Sequence, residues 1–189
     1  MGRVIAIANQ KGGVAKTTTA VNLGACLALA GERVLVVDVD PQGNASSGLG
    51  VDRRRLSRCI YDVLIREASL GAVIVRTELP GLEVVPATVR LAGAEIELVA
   101  LEGREKRLAQ ALQGVREQYT FILIDCPPSL GLLTLNALTA ADRVLIPIQC
   151  EYYALEGLGQ LMQTIRLVQR HLNPRLELEG VVLTMFDGR

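Results

Sequence analysis

The sequence predicts an α/β protein: a doubly wound, mostly parallel sheet with helices on both faces. Two observations carry that expectation. Short runs dense in Val, Ile and Leu recur along the chain, apolar at every position as strands sandwiched between helices must be. Between most of them lie stretches of helical length and pattern, the alternation that builds parallel sheets.

Taken in order, "VIAIA" (4–8) is the first strand and "VLVVDV" (34–39) the second. "FILIDC" (121–126), "VLIPI" (144–148) and "VVLTMF" (181–186) follow as three more buried strands. Helices are expected over 16–30, with Gly31 as a natural C-terminal stop, over about 104–118 and 130–140, and over 154–171 ahead of Asn173-Pro174. The middle, 52–103, is less regular. There "LSRCIYDVLIRE" suits a short helix, "LEVVPAT" a strand and "AGAEIELV" another helix. No repeat or linker divides the chain, so a single domain is expected.

With 189 residues, half of them apolar, the chain can bury a substantial core. Lys plus Arg (20) balance Asp plus Glu (20), so no overall field draws it to nucleic acid or to an anionic membrane. Any such binding must come from a local patch or from self-association. Cys26, Cys59, Cys126 and Cys150 are scattered, with no C-x-x-C pair and no histidine near, which argues for reduced thiols and against a zinc site. No secretory signal is visible, and the apolar stretches fall short of the roughly 20 residues of a membrane span. A soluble, cytoplasmic protein is expected, with no membrane partner.

"NQKGGVAKTTT" (9–19) joins the first strand to the first helix. Phosphate loops read G-x-x-x-x-G-K-[ST]: backbone N–H groups and a helix N-terminus cradle the phosphates, the lysine neutralises them, and the hydroxyl ligates magnesium. Lys16 and Thr17 stand in those last two places, Gly12 and Gly13 let the backbone come close, and Lys11 is an additional lysine ahead of them. "VLVVDVDPQGN" puts Asp38 and Asp40 at the carboxyl end of a strand, where open α/β sheets bind ligands, and "FILIDCPPS" does the same for Asp125.

The loop "KGGVAKTT" resembles the deviant phosphate loop K-G-G-x-x-K-[ST] of the ParA/MinD superfamily of ATPases. "NASSGLG", "PATVRLAGAEIEL", "DCPPSLGLLTLNALTAAD" and "PIQCEYYALEGLGQL" are similar to its chromosome-partition branch, ParA/Soj, over essentially the whole chain. That resemblance implies a P-loop ATPase that takes ATP and Mg2+. Nucleotide would be held by Lys11, Gly12, Gly13, Val14, Ala15, Lys16, Thr17 and Thr18, and magnesium by Thr17 and, through water, Asp125. Catalysis would use Lys16, Asp40 to position the attacking water, and Lys11 reaching across a dimer interface. Residues 41–44, and those from Pro127 and Pro128 onward, would be nucleotide-sensing switches. It also implies an ATP-bound homodimer that binds double-stranded DNA nonspecifically and is stimulated to hydrolyse by a ParB/Spo0J-type partner.

Two departures stand out. Ala15 occupies the place where the family has glycine, which weakens ATP binding or dimer closure if the backbone there needs positive φ. The family continues for tens of residues beyond Arg189, so 1–189 is expected to be a single ATPase domain lacking its C-terminal part, with Arg189 matching an arginine of the family's DNA-contacting surface. Two rival readings follow: a MinD-like membrane-cycling ATPase, which needs a C-terminal amphipathic helix, and an interaction module whose nucleotide binding Ala15 has impaired. "RRRLSR" (53–58) reads as a solvated basic turn, His171 as a helix-end residue facing the dipole, and Cys126 as a buried thiol.

Overall fold

A computed structural model describes residues 2–150 and 154–186, with side chains from 157 onward in the second stretch. Its core is one seven-stranded sheet in the order β3-β4-β2-β5-β1-β6-β7. The strands are β1 (Arg3–Ile7), β2 (Val34–Asp38), β3 (Val75–Arg76), β4 (Leu82–Val85), β5 (Phe121–Asp125), β6 (Arg143–Gln149) and β7 (Glu177–Thr184). All pair in parallel except β3, which runs antiparallel to β4 at one edge. Helices α1 (Lys16–Leu29), α2 (Asn44–Gly48), α3 (Ile60–Arg66), α4 (Leu91–Val99), α5 (Arg107–Gln113), α6 (Leu132–Ala140) and α7 (Ala154–His171) connect them.

Because strand side chains alternate between faces, each apolar run feeds two cores. Ile5, Ile7, Val34, Val36 and Leu123 pack with Ala20 and Ala28 of α1. Val4, Ala6, Leu35, Val37, Ile122, Ile124, Val144 and Ile146 pack with α3 to α7 on the other side. Gly24 lets α1 lie close on the sheet: a β-carbon there would come within 3.1 Å of Val36. The doubly wound expectation therefore holds, with one long helix on one face and most of the others on the opposite face.

Two expectations are corrected. The helix expected over 104–118 is α5 alone, followed by a short 3-10 turn at Arg116–Gln118. Asn136 of α6 delays its start, accepting from Leu108 N and donating to the Arg104 carbonyl, and Gly114 follows its last residue. "VVLTMF" is expected to be buried on both faces, yet among the described residues β7, which begins at Glu177, pairs with β6 alone, with Val181 45% and Leu183 64% exposed. An apolar run cannot by itself reveal whether a further element covers it. Helix α2 and strand β3 were unforeseen, both being too short for their periodicity to register.

Candidate nucleotide site

Parallel strands bring the carboxyl ends of β1, β2 and β5 to one edge of the sheet, with β5 seated between the other two. The chain leaves β1 through Asn9, whose side chain donates to the Pro147 carbonyl (2.7 Å) and accepts from Lys11 N (3.0 Å). That Asx turn starts the loop. Gly13 (φ 75°) and Ala15 (φ 64°, ψ 31°) are both left-handed, and Ala15 is the N-cap of α1. No side chain caps that helix, and its first turn holds no acidic residue. Its first N–H groups and the positive end of its dipole are thus left for an anion.

Lys16 is 7% exposed and donates from Nζ to the Lys11 carbonyl at 3.0 Å, which folds the loop around its own cation. Burial holds its pKa below the usual lysine value, opposed by Asp125, Cys126 and Asp40. From the other side, β7 braces the loop: Thr184 Oγ1 donates to the Val14 carbonyl, and Gln149 of β6 donates to the Gly13 carbonyl. The loop lines a cavity of about 340 Å³ together with Asp40, Gln42, Asn44, Pro128 and Met185. A larger cavity, about 690 Å³, lies between α3 and α5, but Arg107 on its wall already pairs with Glu67 and with the Leu64 carbonyl. No set of ionisable groups converges there.

The three aspartates expected at strand ends are all buried, and their surroundings differ. Asp38 accepts three hydrogen bonds, from Asp40 N (3.1 Å), Ser46 N (2.8 Å) and Ser46 Oγ (2.6 Å). Burial raises its pKa to about 6, and those bonds hold it from going higher. Asp40 accepts from Gln42 N (2.9 Å) and faces the cavity. Asp125 is fully buried, and neither of its carboxylate oxygens has a hydrogen-bond partner. The Thr17 hydroxyl stands close enough to favour its ionised form. Burial first, then the Asp38 carboxylate, drives the Asp125 pKa up to about 7 against the opposing pull of Thr17 and Lys16.

An orphaned buried carboxylate beside a hydroxyl and a phosphate loop suits magnesium, which takes one or two protein oxygens and completes its shell with phosphates and water. The residues present therefore fit Mg2+. Among the described residues no cluster of three or more His, Cys, Asp or Glu could hold a metal ion.

The structure thus brings together Lys11, Gly12, Gly13, Val14, Ala15, Lys16, Thr17 and Thr18 in one loop, with Asp40 and Asp125 beside it. Arg189 lies outside the described residues. Cys126 is a buried thiol whose pKa burial pushes well above the ordinary value. Arg54 and Arg55 pair with Asp52 on an exposed turn, while Arg53 donates inward to the Gln42 carbonyl. Sequence reasoning missed Asn9, Ser46, Gln149, Thr184 and Met185. Only Asn9, an Asx-turn residue directly before a glycine loop, carried a local signal.

Comparison with known proteins agrees with this geometry. A family model described as an AAA domain matches residues 2–178. The sporulation initiation inhibitor protein Soj of Bacillus subtilis is 62% identical over 189 residues, covering 100% of this chain and 75% of that protein. The chromosome partitioning protein ParA of Caulobacter vibrioides is 60% identical, covering 99% and 71%. Among solved structures, a Mycobacterium smegmatis protein named cobyrinic acid a,c-diamide synthase, with bound ATP analogue and magnesium, superposes with a TM-score of 0.96 at 48% identity, covering 100% of this chain and 77% of that one. A plasmid partition protein of Borrelia burgdorferi does so with a TM-score of 0.85 at 28% identity, covering 100% and 80%. With identities this high along its whole length, the chain belongs to the ParA/Soj family of chromosome-partitioning proteins, on the P-loop ATPase fold.

Proposed function

We propose that this chain is a DNA-partition ATPase that binds Mg-ATP in the cavity above β1, β2 and β5 and uses hydrolysis to switch between associated and free states. The observation that carries the reading is the convergence, on one phosphate loop, of a buried lysine, an unpartnered buried carboxylate and a second carboxylate open to the cavity. Solved relatives that hold an ATP analogue and magnesium support it.

The loop amides and Lys16 bind and neutralise the phosphates, and they stabilise the charge that grows on the γ-phosphoryl oxygens during transfer to water. Thr17 and Asp125 would hold magnesium, which supplies charge neutralisation and orientation of the phosphates. Asp40 orients the attacking water, and its hydrogen bond to Gln42 N makes the 41–44 turn responsive to what occupies the cavity. Lys11 completes the site of a second copy in the ATP-bound dimer. That dimer binds double-stranded DNA nonspecifically, Arg189 contributing to the contact, and a ParB/Spo0J-type partner accelerates its hydrolysis. The protein acts in the cytoplasm; no described helix is long and apolar enough to cross a membrane.

Calorimetric titration of Mg-ATP into the chain, with Lys16→Ala as the blank, tests the core of this reading. Binding that Lys16→Ala abolishes is the expected result. Absence of binding by both the chain and its Ala15→Gly variant would overturn it. Hydrolysis is then followed with and without DNA and a ParB-type protein, where stimulation requiring both is expected.

A further inference from the structure

The ring of hydrogen bonds behind Asp40 assigns a task to a residue that touches neither loop nor cavity. Ser46 sits in α2, fully buried. Its N–H and hydroxyl both donate to one Asp38 oxygen, at 2.8 and 2.6 Å, and its Oγ accepts from Ala87 N at 2.9 Å. The other Asp38 oxygen accepts from Asp40 N, Asp40 accepts from Gln42 N through its side chain and from Gly43 N through its carbonyl, and Arg53 donates to the Gln42 carbonyl. The result is a closed circuit from the end of β2, around the 40–44 turn and back, anchored to the segment that follows β4. Gly43 is essential to its shape, with φ 62° and no room for a β-carbon against Arg53 and the Ala87 carbonyl.

We propose that Ser46, locked by Asp38 and Ala87, is a positioning residue that sets where Asp40 and the 41–44 turn stand relative to the phosphate loop. This deepens the ATPase reading and rests on it. A five-residue helix cannot hold its own place, because short helices are marginal without tertiary contacts. With Ala45 packed into the core on one side, the two donors from Ser46 fix the turn on the other. Losing the hydroxyl leaves Ala87 N–H buried without a partner and Asp38 with one bond fewer, so the turn is free to shift while the phosphate loop, braced separately by Asn9 and Thr184, stays intact.

The test compares the parent chain, Ser46→Ala and a control of similar lowered stability, Val115→Ala, in the core beside α5. Three quantities are read: amide exchange, Mg-ATP affinity and turnover at saturating ATP. In Ser46→Ala, exchange is expected to rise at 40–47 and at Ala87 but not at 9–19. Turnover is expected to fall about tenfold with affinity changed less than twofold, whereas Val115→Ala keeps the parent's turnover. Turnover unchanged in Ser46→Ala despite faster exchange would overturn the positioning role and leave a stabilising one. A fall of equal size in Val115→Ala would overturn it too. Should neither the parent nor its Ala15→Gly variant turn over ATP, the ATPase reading fails, and exchange decides alone: protection at 40–47 surviving in Ser46→Ala overturns the lock, and its loss upholds it.

Discussion

Asp38 and Asp125 are neighbours across a parallel pair, directly opposite one another in the register of β2 and β5, and both are fully buried. One is saturated by donors from Asp40 and Ser46, and the other has none. Equal depth and equal chemistry thus serve opposite ends. A buried carboxylate with its lone pairs filled holds structure together, whereas one left empty stores an unfavourable energy that a cation can relieve. Burial alone would have ranked the two together; the difference lies in the hydrogen bonds.

The sharpest way to break this comparison is to remove each charge in turn. Asp125→Asn is expected to lower Mg-dependent hydrolysis about a hundredfold or more, the scale of a lost metal contact, while raising the unfolding midpoint of the nucleotide-free chain. Asp38→Asn should act in the reverse sense, costing about 1–3 kcal/mol of stability because the buried amide N–H would then face a donor whichever way it turns, Asp40 N on one side or the Ser46 pair on the other. Thermal unfolding without nucleotide and metal reads both signs, and a stability loss in Asp125→Asn would contradict the assignment.

Titration sharpens the same contrast. Both groups have folded-state pKa values raised above the ordinary 3.8, to about 7 for Asp125 and about 6 for Asp38. The folded chain therefore binds more protons than the unfolded one between those limits. Their contribution to stability is fully present below about pH 4 and is lost as pH rises, through about 6 for Asp38 and about 7 for Asp125. Stability of the metal-free chain should fall between about pH 4 and 7, with a shallower slope in Asp125→Asn; equal slopes would show that Asp125 is not the group responsible.

The smallest expected effect concerns the loop. Ala15 holds φ 64°, a conformation that costs an L-residue about 1–2 kcal/mol and glycine almost nothing. Ala15→Gly should tighten Mg-ATP binding by up to about tenfold, read by calorimetry. Unchanged affinity would refute the expectation that Ala15 weakens ATP binding.

How much of the site could be read beforehand follows from the range of the interactions involved. Residues 11–18 are legible because a phosphate loop is local: glycines, lysine and hydroxyl must follow one another at fixed spacing for backbone N–H groups to converge. The strand-end aspartates are legible because an apolar run followed by an acid marks where a parallel strand leaves its sheet. Ser46, Gln149, Thr184 and Met185 are silent, since their partners lie in other elements and nothing in their flanks records the pairing. The exposed face of β7 is silent for a similar reason, as apolar composition does not say what lies beside it.

By itself, then, the sequence determined the alternation of strands and helices, the phosphate loop with Ala15 ahead of its lysine, and the acids at two strand ends. All of these are set by periodicity and by short-range backbone chemistry. Only the tertiary structure decided that Ala15 is left-handed and that Asp38 is locked by Ser46 while no donor of the described residues reaches the Asp125 oxygens. Those outcomes depend on which donors a folded chain carries to a given point in space, and hydrogen bonds between distant elements leave no periodic trace.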